Sequence, residues 1–217
     1  MIKDNIERVK QRVVAACARI GADPEKILIV CVAKGRMPQE IAEIIGLGYK
    51  DIAENKVQET LETYRKVSGA RWHMIGHLQS NKVKEAVKIF DLIHSVDSIG
   101  LDKEINKQAV KIGKIQDVLL EVKTSLEETK FGFVPDETTD ASVEIDKLSN
   151  IRVMGLMTIA PFTTDIEKIR RCFSRLRKLR DKLNPGWFLS MGMSDDFEIA
   201  IEEGADIIRI GRAIFNG

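Results

Sequence analysis

The feature that most constrains this chain is an alternation. Short runs rich in aliphatic and β-branched residues are each followed by a stretch with helical spacing, eight times in succession. The runs are "ILIVCVAK" (27–34), "DIAE" (51–54), "RWHMIG" (71–76), "LIHSV" (92–96), "QDVLLEVKT" (116–124), "IRVMGLMTI" (151–159), "WFLSM" (187–191) and "DIIRIG" (206–211). The first is apolar almost throughout, as a strand covered on both faces must be. Strands that alternate with helices demand a parallel sheet with right-handed crossovers. Eight such units predict a (β/α)8 barrel. A further helix over about residues 2–20 precedes the first strand, with Ile6, Val9, Val13, Ala16 and Ile20 as its buried stripe and Gly21 as its end. The competing architecture is an open doubly wound sheet, but no GxGxxG motif follows the first strand. The 217 residues suit a barrel with short loops, and no linker-like tract divides them, so 1–217 reads as one domain.

Charge and cysteine content exclude several classes. With 34 Lys+Arg against 33 Asp+Glu, the chain lacks the cationic excess of a nucleic-acid binder. One basic stripe, "KIRRCFSRLRKLRDKL" (168–183), carries Ile169, Phe173, Leu176 and Leu179 at helical spacing, and reads as the solvated face of an amphipathic helix. Cys17, Cys31 and Cys172 are far apart and show no metal-ligand spacing, which predicts reduced core thiols and no metal. The opening "MIKDNIERVKQRV" is charged throughout and has no signal-peptide pattern. No apolar run approaches the ~18 residues of a membrane span. These features predict a soluble, cytoplasmic protein.

In a barrel of this kind, functional groups sit at the C-terminal ends of the strands. That rule selects Lys34, Glu54 and Asn55, His77, Asp97, Met157 and Thr158, then Ser190, Gly192 and Ser194, and finally Arg209, Gly211 and Arg212. Beyond the seventh and eighth strands, "SMGMSDD" and "RIGRAIFNG" offer glycines, a hydroxyl and backbone N–H groups, the usual makings of a phosphate cradle. Ser194 reads equally as an N-cap for the helix that follows. The Gly211–Arg212 backbone is the stronger anion candidate, because Asp195 and Asp196 already bring negative charge to that helix start. Lys34 ends an apolar strand. Apolar surroundings and a neighbouring cation such as Arg209 would favour its neutral, nucleophilic form, able to condense with an aldehyde. A lysine and a phosphate cradle on one barrel mouth point to a phosphorylated aldehyde: either pyridoxal 5′-phosphate (PLP) or a sugar phosphate of the aldolase type.

Longer motifs carry a family resemblance. "VAKG" (32–35), "AENKVQE" (53–59), "WHMIGHLQSNK" (72–82), "IHSVDS" (93–98), "GLMTIA" (155–160) and "LSMGMSDDFEIAIEEGADIIRIGRAIFNG" (189–217) resemble the pyridoxal-phosphate homeostasis proteins, a family of small PLP-binding barrels. The resemblance implies a PLP fold type III barrel similar to the N-terminal domain of alanine racemase. It implies Lys34 as the Schiff-base lysine and Arg209 facing the pyridine nitrogen. Ser194, Gly211 and Arg212 would hold the phosphate, Asn55 would line the cofactor's other side, and Met157 would contact the ring. His77 lies in the most distinctive motif, either as a packed, hydrogen-bonded residue or as a functional one. The chain departs from the family pattern at Ala33, where serine is common, and at "IAENKVQE", which lacks the usual Phe-Gly and Tyr. It departs again at Lys123 and Leu126, and Lys123 brings a second amine toward the mouth.

Arg209 bears on reactivity. A guanidinium stays charged and accepts no proton, so it would leave the pyridine nitrogen unprotonated and the ring a weak electron sink. Racemase-like relatives add a tyrosine from a second domain of another subunit. Here only Tyr49 and Tyr64 exist, both away from strand ends. The expectation is a monomeric PLP carrier or regulator of vitamin B6 pools with little turnover, serving PLP-dependent apo-enzymes. The alternatives are an amino-acid racemase-like enzyme and a Schiff-base aldolase.

Overall fold

The computed structural model describes residues 1–125 and 131–216. Eight parallel strands close into a barrel in chain order. They are β1 (Leu28–Val32), β2 (Asp51–Glu54), β3 (Arg71–Met74), β4 (Leu92–Val96), β5 (Gln116–Glu121), β6 (Ile151–Met157), β7 (Phe188–Ser190) and β8 (Ile207–Ile210). The helices are α1 (Ile2–Ile20), α2 (Pro38–Gly46), α3 (Val57–Tyr64), α4 (Val83–Ile89), α5 (Ile99–Lys111), α6 (Pro135–Asp146), α7 (Ile166–Leu183), α8 (Phe197–Glu202) and the short α9 (Arg212–Phe215). The barrel and the extra leading helix are as the alternation predicts.

Local chemistry sets the boundaries. Pro38 opens α2, where its missing N–H costs nothing. The Ser98 hydroxyl accepts from Leu101 N–H and caps α5. Six strands stop earlier than the apolar runs suggest, among them β3 at Met74, β7 at Ser190 and β8 at Ile210. β1 ends at Val32, leaving Ala33 and Lys34 beyond it. β6 ends at Met157 and not Ile159. β5 ends at Glu121 and not at 124, where Phe133 comes alongside in parallel: Phe133 N–H donates to Glu121 O at 2.7 Å and Lys123 N–H to Phe133 O at 2.9 Å. The departure at Leu126 lies outside the described residues.

Two apolar cores result. The larger lies between the strands and the surrounding helices and includes Ile41, Trp72, Phe90, Phe173 and Phe197. The smaller fills the barrel interior with Val30, Ala53, Leu119, Met157 and Ile207. Cys17, Cys31 and Cys172 are all buried, and none is in a disulfide among the described residues. The basic stripe on α7 is partnered. Arg170 bonds Glu202 at 2.6 Å and Glu203 at 3.0 Å, and Arg177 reaches Glu203 at 3.2 Å, so these charges dock α7 on α8. Among the described residues no helix is long and apolar enough to cross a membrane.

Candidate functional site

Lys34 follows β1 in an exposed turn. The sequence reading expects apolar surroundings for this amine; the protein leaves it in the open. Gly211 lies beside the same strand end, since a Cβ built on it would sit 3.4 Å from Val32 O. The start of α9 and the lysine's strand are therefore direct neighbours. Ser194 reaches this point from the β7–α8 loop, where its hydroxyl accepts from Ala213 N–H at 3.2 Å. It does not cap α8. That helix starts after Asp196, whose carboxylate accepts from Met193 N–H at 2.6 Å. The Arg212 guanidinium bonds Asp195, leaving backbone as what this residue presents to an anion. Gly192 makes the loop possible. Its φ is +92°, and a Cβ there would stand 2.6 Å from Ala200 Cβ and 2.8 Å from Phe197 Cα.

Arg209 is almost wholly buried in β8, in register with Val30. Its Nη1 donates to Ser190 Oγ at 2.7 Å and its Nη2 to Thr158 O at 2.9 Å. Burial pulls its pKa down to about 10, opposed by Asp196 and Glu121, so it stays a cation at neutral pH. From Ser190 a chain of contacts crosses the barrel: Ser190 Oγ to His94 Nδ1 at 2.9 Å, His94 Nε2 to His73 Nδ1 at 2.9 Å, and His73 Nε2 to Asp51 Oδ1 at 2.9 Å. Asp51 also accepts from Arg71 Nη2 at 2.5 Å. Burial favours the protonated form of Asp51, but the hydrogen bonds from His73 and Arg71 outweigh it and hold the carboxyl below its usual range.

The other side of the mouth is built from β2 to β6. Asn55 is half-buried past β2, and its Oδ1 is buried without a partner among the described residues. Met157 is fully buried in the barrel interior, at the end of β6. His77 bonds Asp97 through Nδ1 at 2.8 Å and stacks on Phe131 with ring centres 3.8 Å apart. It stands at the rim as a half-exposed, oriented imidazole. Glu121 is pushed up to about 7 by burial and then by Asp97, with Arg209 and Lys123 opposing. Glu54 rises to about 7 through burial and Glu59.

Asp102 on α5 is the least comfortable acid. It is fully buried, both carboxyl oxygens lack a hydrogen-bond partner, and burial plus Asp97 raise its pKa to about 8. A folded-state pKa above the unfolded value gives stability that is present below the unfolded pKa of about 3.9 and is lost as pH climbs to about 8. Asp102→Asn is therefore expected to leave stability unchanged near pH 4. At pH 9 it should raise stability by several kcal/mol, on the order set by the linkage. Urea unfolding at the two pH values measures this; equal effects at both would refute it.

Sequence reasoning missed His73 and His94. Both lie inside strands and not at strand ends, the rule that selected the candidates. The signal was available: a lone imidazole within "RWHMIG" and another within "LIHSV", each in a strand that must be buried on both faces.

Comparison with known proteins agrees with the barrel fold. The family profile "Alanine racemase, N-terminal domain" matches residues 1–217. A pyridoxal phosphate homeostasis protein of Aquifex aeolicus is 42% identical, covering 98% of this chain and 96% of its own length. A crystal structure of an unknown protein from Bifidobacterium adolescentis superposes with a TM-score of 0.92 at 36% identity, over 99% of this chain and 94% of that one. PipY of Synechococcus elongatus PCC7942, solved with PLP bound, gives a TM-score of 0.82 at 30% identity, over 95% of this chain and 99% of that one. By profile, full-length identity and barrel geometry alike, the chain belongs to the alanine racemase N-terminal-domain family and, within it, to the pyridoxal phosphate homeostasis proteins.

Proposed function

We propose that this chain, as one barrel over 1–217, binds PLP with Lys34 as the covalent attachment point and serves PLP homeostasis as a carrier with little turnover. The observation that carries this reading is the adjacency of Gly211 to Val32, which sets the α9 amides and Ser194 beside the strand end that bears Lys34. A phosphate held there keeps the rest of the molecule within the barrel mouth, in reach of a lysine amine. The first amides of a helix have no intrahelical acceptor and favour an anion. When bound, PLP supplies an aldehyde for a reversible bond to an amine and a ring that draws electrons.

The protein residues fit that group. Arg209 is a buried donor with no proton to accept, suited to a ring nitrogen that remains unprotonated. Asn55 Oδ1 is a buried acceptor in need of a donor. Met157 offers an apolar wall, and His77 stands at the rim. The PLP-bound relative and the names of the curated relatives support the same cofactor. The carrier reading extends to a monomer in the cytoplasm that hands PLP to apo-enzymes. Borohydride reduction of the PLP-loaded protein, followed by peptide mass mapping, should find the added mass on the peptide containing Lys34. Mass on Lys123, or no uptake of PLP, would overturn the assignment.

A further inference from the structure

The polar chain through the barrel has a direction, set by an acceptor-only carboxylate at one end and by the need to place the Ser190 proton at the other. Asp51 is an ionised carboxylate and can only accept, so His73 carries its proton on Nε2. His94 fills the next joint by donating through Nε2 to a bare His73 Nδ1, the arrangement that leaves His94 Nδ1 open to the Ser190 proton. His94 is fully buried, and burial, then His73 and Arg209, hold its pKa well below the usual value, so it is neutral and its Nδ1 is bare. That nitrogen takes the single proton of Ser190. Ser190 is left with lone pairs only, and Arg209, which can only donate, fills one of them. Reversing any joint sets two donors or two lone pairs face to face, or strands the Ser190 proton.

Such a chain is costly to maintain. At the same level the barrel interior is otherwise filled by Val30, Ala53, Leu119, Met157 and Ile207, and apolar residues could replace the polar ones without leaving orphans. The chain runs from Asp51, the first residue of β2 and so at the end of the barrel opposite Lys34, through His73 in β3 to a guanidinium at the mouth. We propose that Asp51, His73, His94 and Ser190 form a one-way hydrogen-bond wire whose role is to position Arg209, locking its guanidinium in one orientation toward the ring nitrogen of bound PLP. The last clause rests on the PLP reading above; the wire itself does not. These are positioning residues: none of them needs to touch the cofactor.

The test uses the full chain at neutral pH, with and without PLP labelled with 15N in the ring. Imidazole nitrogen spectra should show both His73 and His94 as neutral Nε2–H tautomers. In Ser190→Ala and in Asp51→Asn the Arg209 side-chain N–H signals should broaden as the guanidinium gains freedom. The ring-nitrogen signal of bound PLP should move, and PLP affinity should fall about tenfold, the loss expected for one hydrogen bond to a charged group. Because Asp51 lies at the far end of the barrel, a merely local packing role would not move the ring signal. Should Asp51→Asn fail to fold, Ser190→Ala decides alone. Nδ1–H tautomers in the wild type, or variants whose Arg209 and ring signals match the wild type, overturn the wire. A wild type that shows the tautomers and the Arg209 response yet takes up no PLP upholds the wire and overturns the PLP reading.

Discussion

The Lys34→Ala protein is expected to lose covalent attachment of PLP entirely while keeping a weaker, dialysable hold on it. The reason is a division of labour at the mouth. On the proposed reading Lys34 supplies the amine and Ser194 and the start of α9 hold the phosphate, while Arg209 is fixed by its own partners. None of them depends on the lysine. A few charge-assisted hydrogen bonds at about 1.5–3 kcal/mol each leave a Kd in roughly the micromolar-to-millimolar range. Equilibrium dialysis measures the residual affinity, and mass spectrometry after borohydride measures the lost bond. Wild-type covalent loading in the variant would move the attachment point to another lysine. Loss of all affinity would mean that the phosphate groups do not act without the amine.

Gly155→Ala is expected to cost more stability than any other small change in the barrel. β5 and β6 slip by one residue between the pairs Val118–Val153 and Leu119–Gly155, so β6 bulges just before this glycine. On the other side Gly155 pairs with Phe188 of β7. A Cβ at 155 would lie 2.0 Å from Phe188 O and 2.7 Å from Phe188 N, both backbone atoms that cannot rotate away. The strands must separate, which disturbs the neighbouring pairs Leu156–Leu189 and Met157–Ser190. A penalty of about 4 kcal/mol or more follows, against a total of about 5–15 kcal/mol for a folded chain. Urea unfolding and soluble yield report it. A variant that unfolds cooperatively within about 1 kcal/mol of the wild type would show that β6 and β7 tolerate the extra carbon.

The barrel was legible because its signal is periodic and repeated: each apolar run named a strand, and the order of elements left one closed topology. What the periodicity did not fix was where pairing stops. β1 ends two residues before Lys34, where a turn begins, and β5 three residues before 124, where Phe133 takes up its hydrogen bonds. The candidate residues at strand ends were chosen by position and by motif. Ser194 was ambiguous between cap and ligand because both roles need the same hydroxyl; the structure commits it to the α9 amide of Ala213. Ser190 and Thr158 stood among the strand-end candidates, but their pairing with Arg209 was not legible. Ser190, His94, His73 and Asp51 come from four strands, and the sequence shows neither the register nor the inward face that bring them together.

The neighbourhood of Gly211 and Val32 also has a consequence for how the protein is made. Strand β1 emerges early from a ribosome, but its closing partner is β8, and Asn5 on α1 donates to Ile214 O on α9 across a separation of 209 residues. Contacts of such range form only after the intervening chain has paid its loop-closure entropy, which slows folding. The cradle and the lysine therefore stay apart until the last strand and helix have been synthesised. On the proposed reading, a nascent or truncated chain would carry the Lys34 amine without the anchor that would deliver an aldehyde to it, and selective capture of the cofactor would begin only with the finished ring.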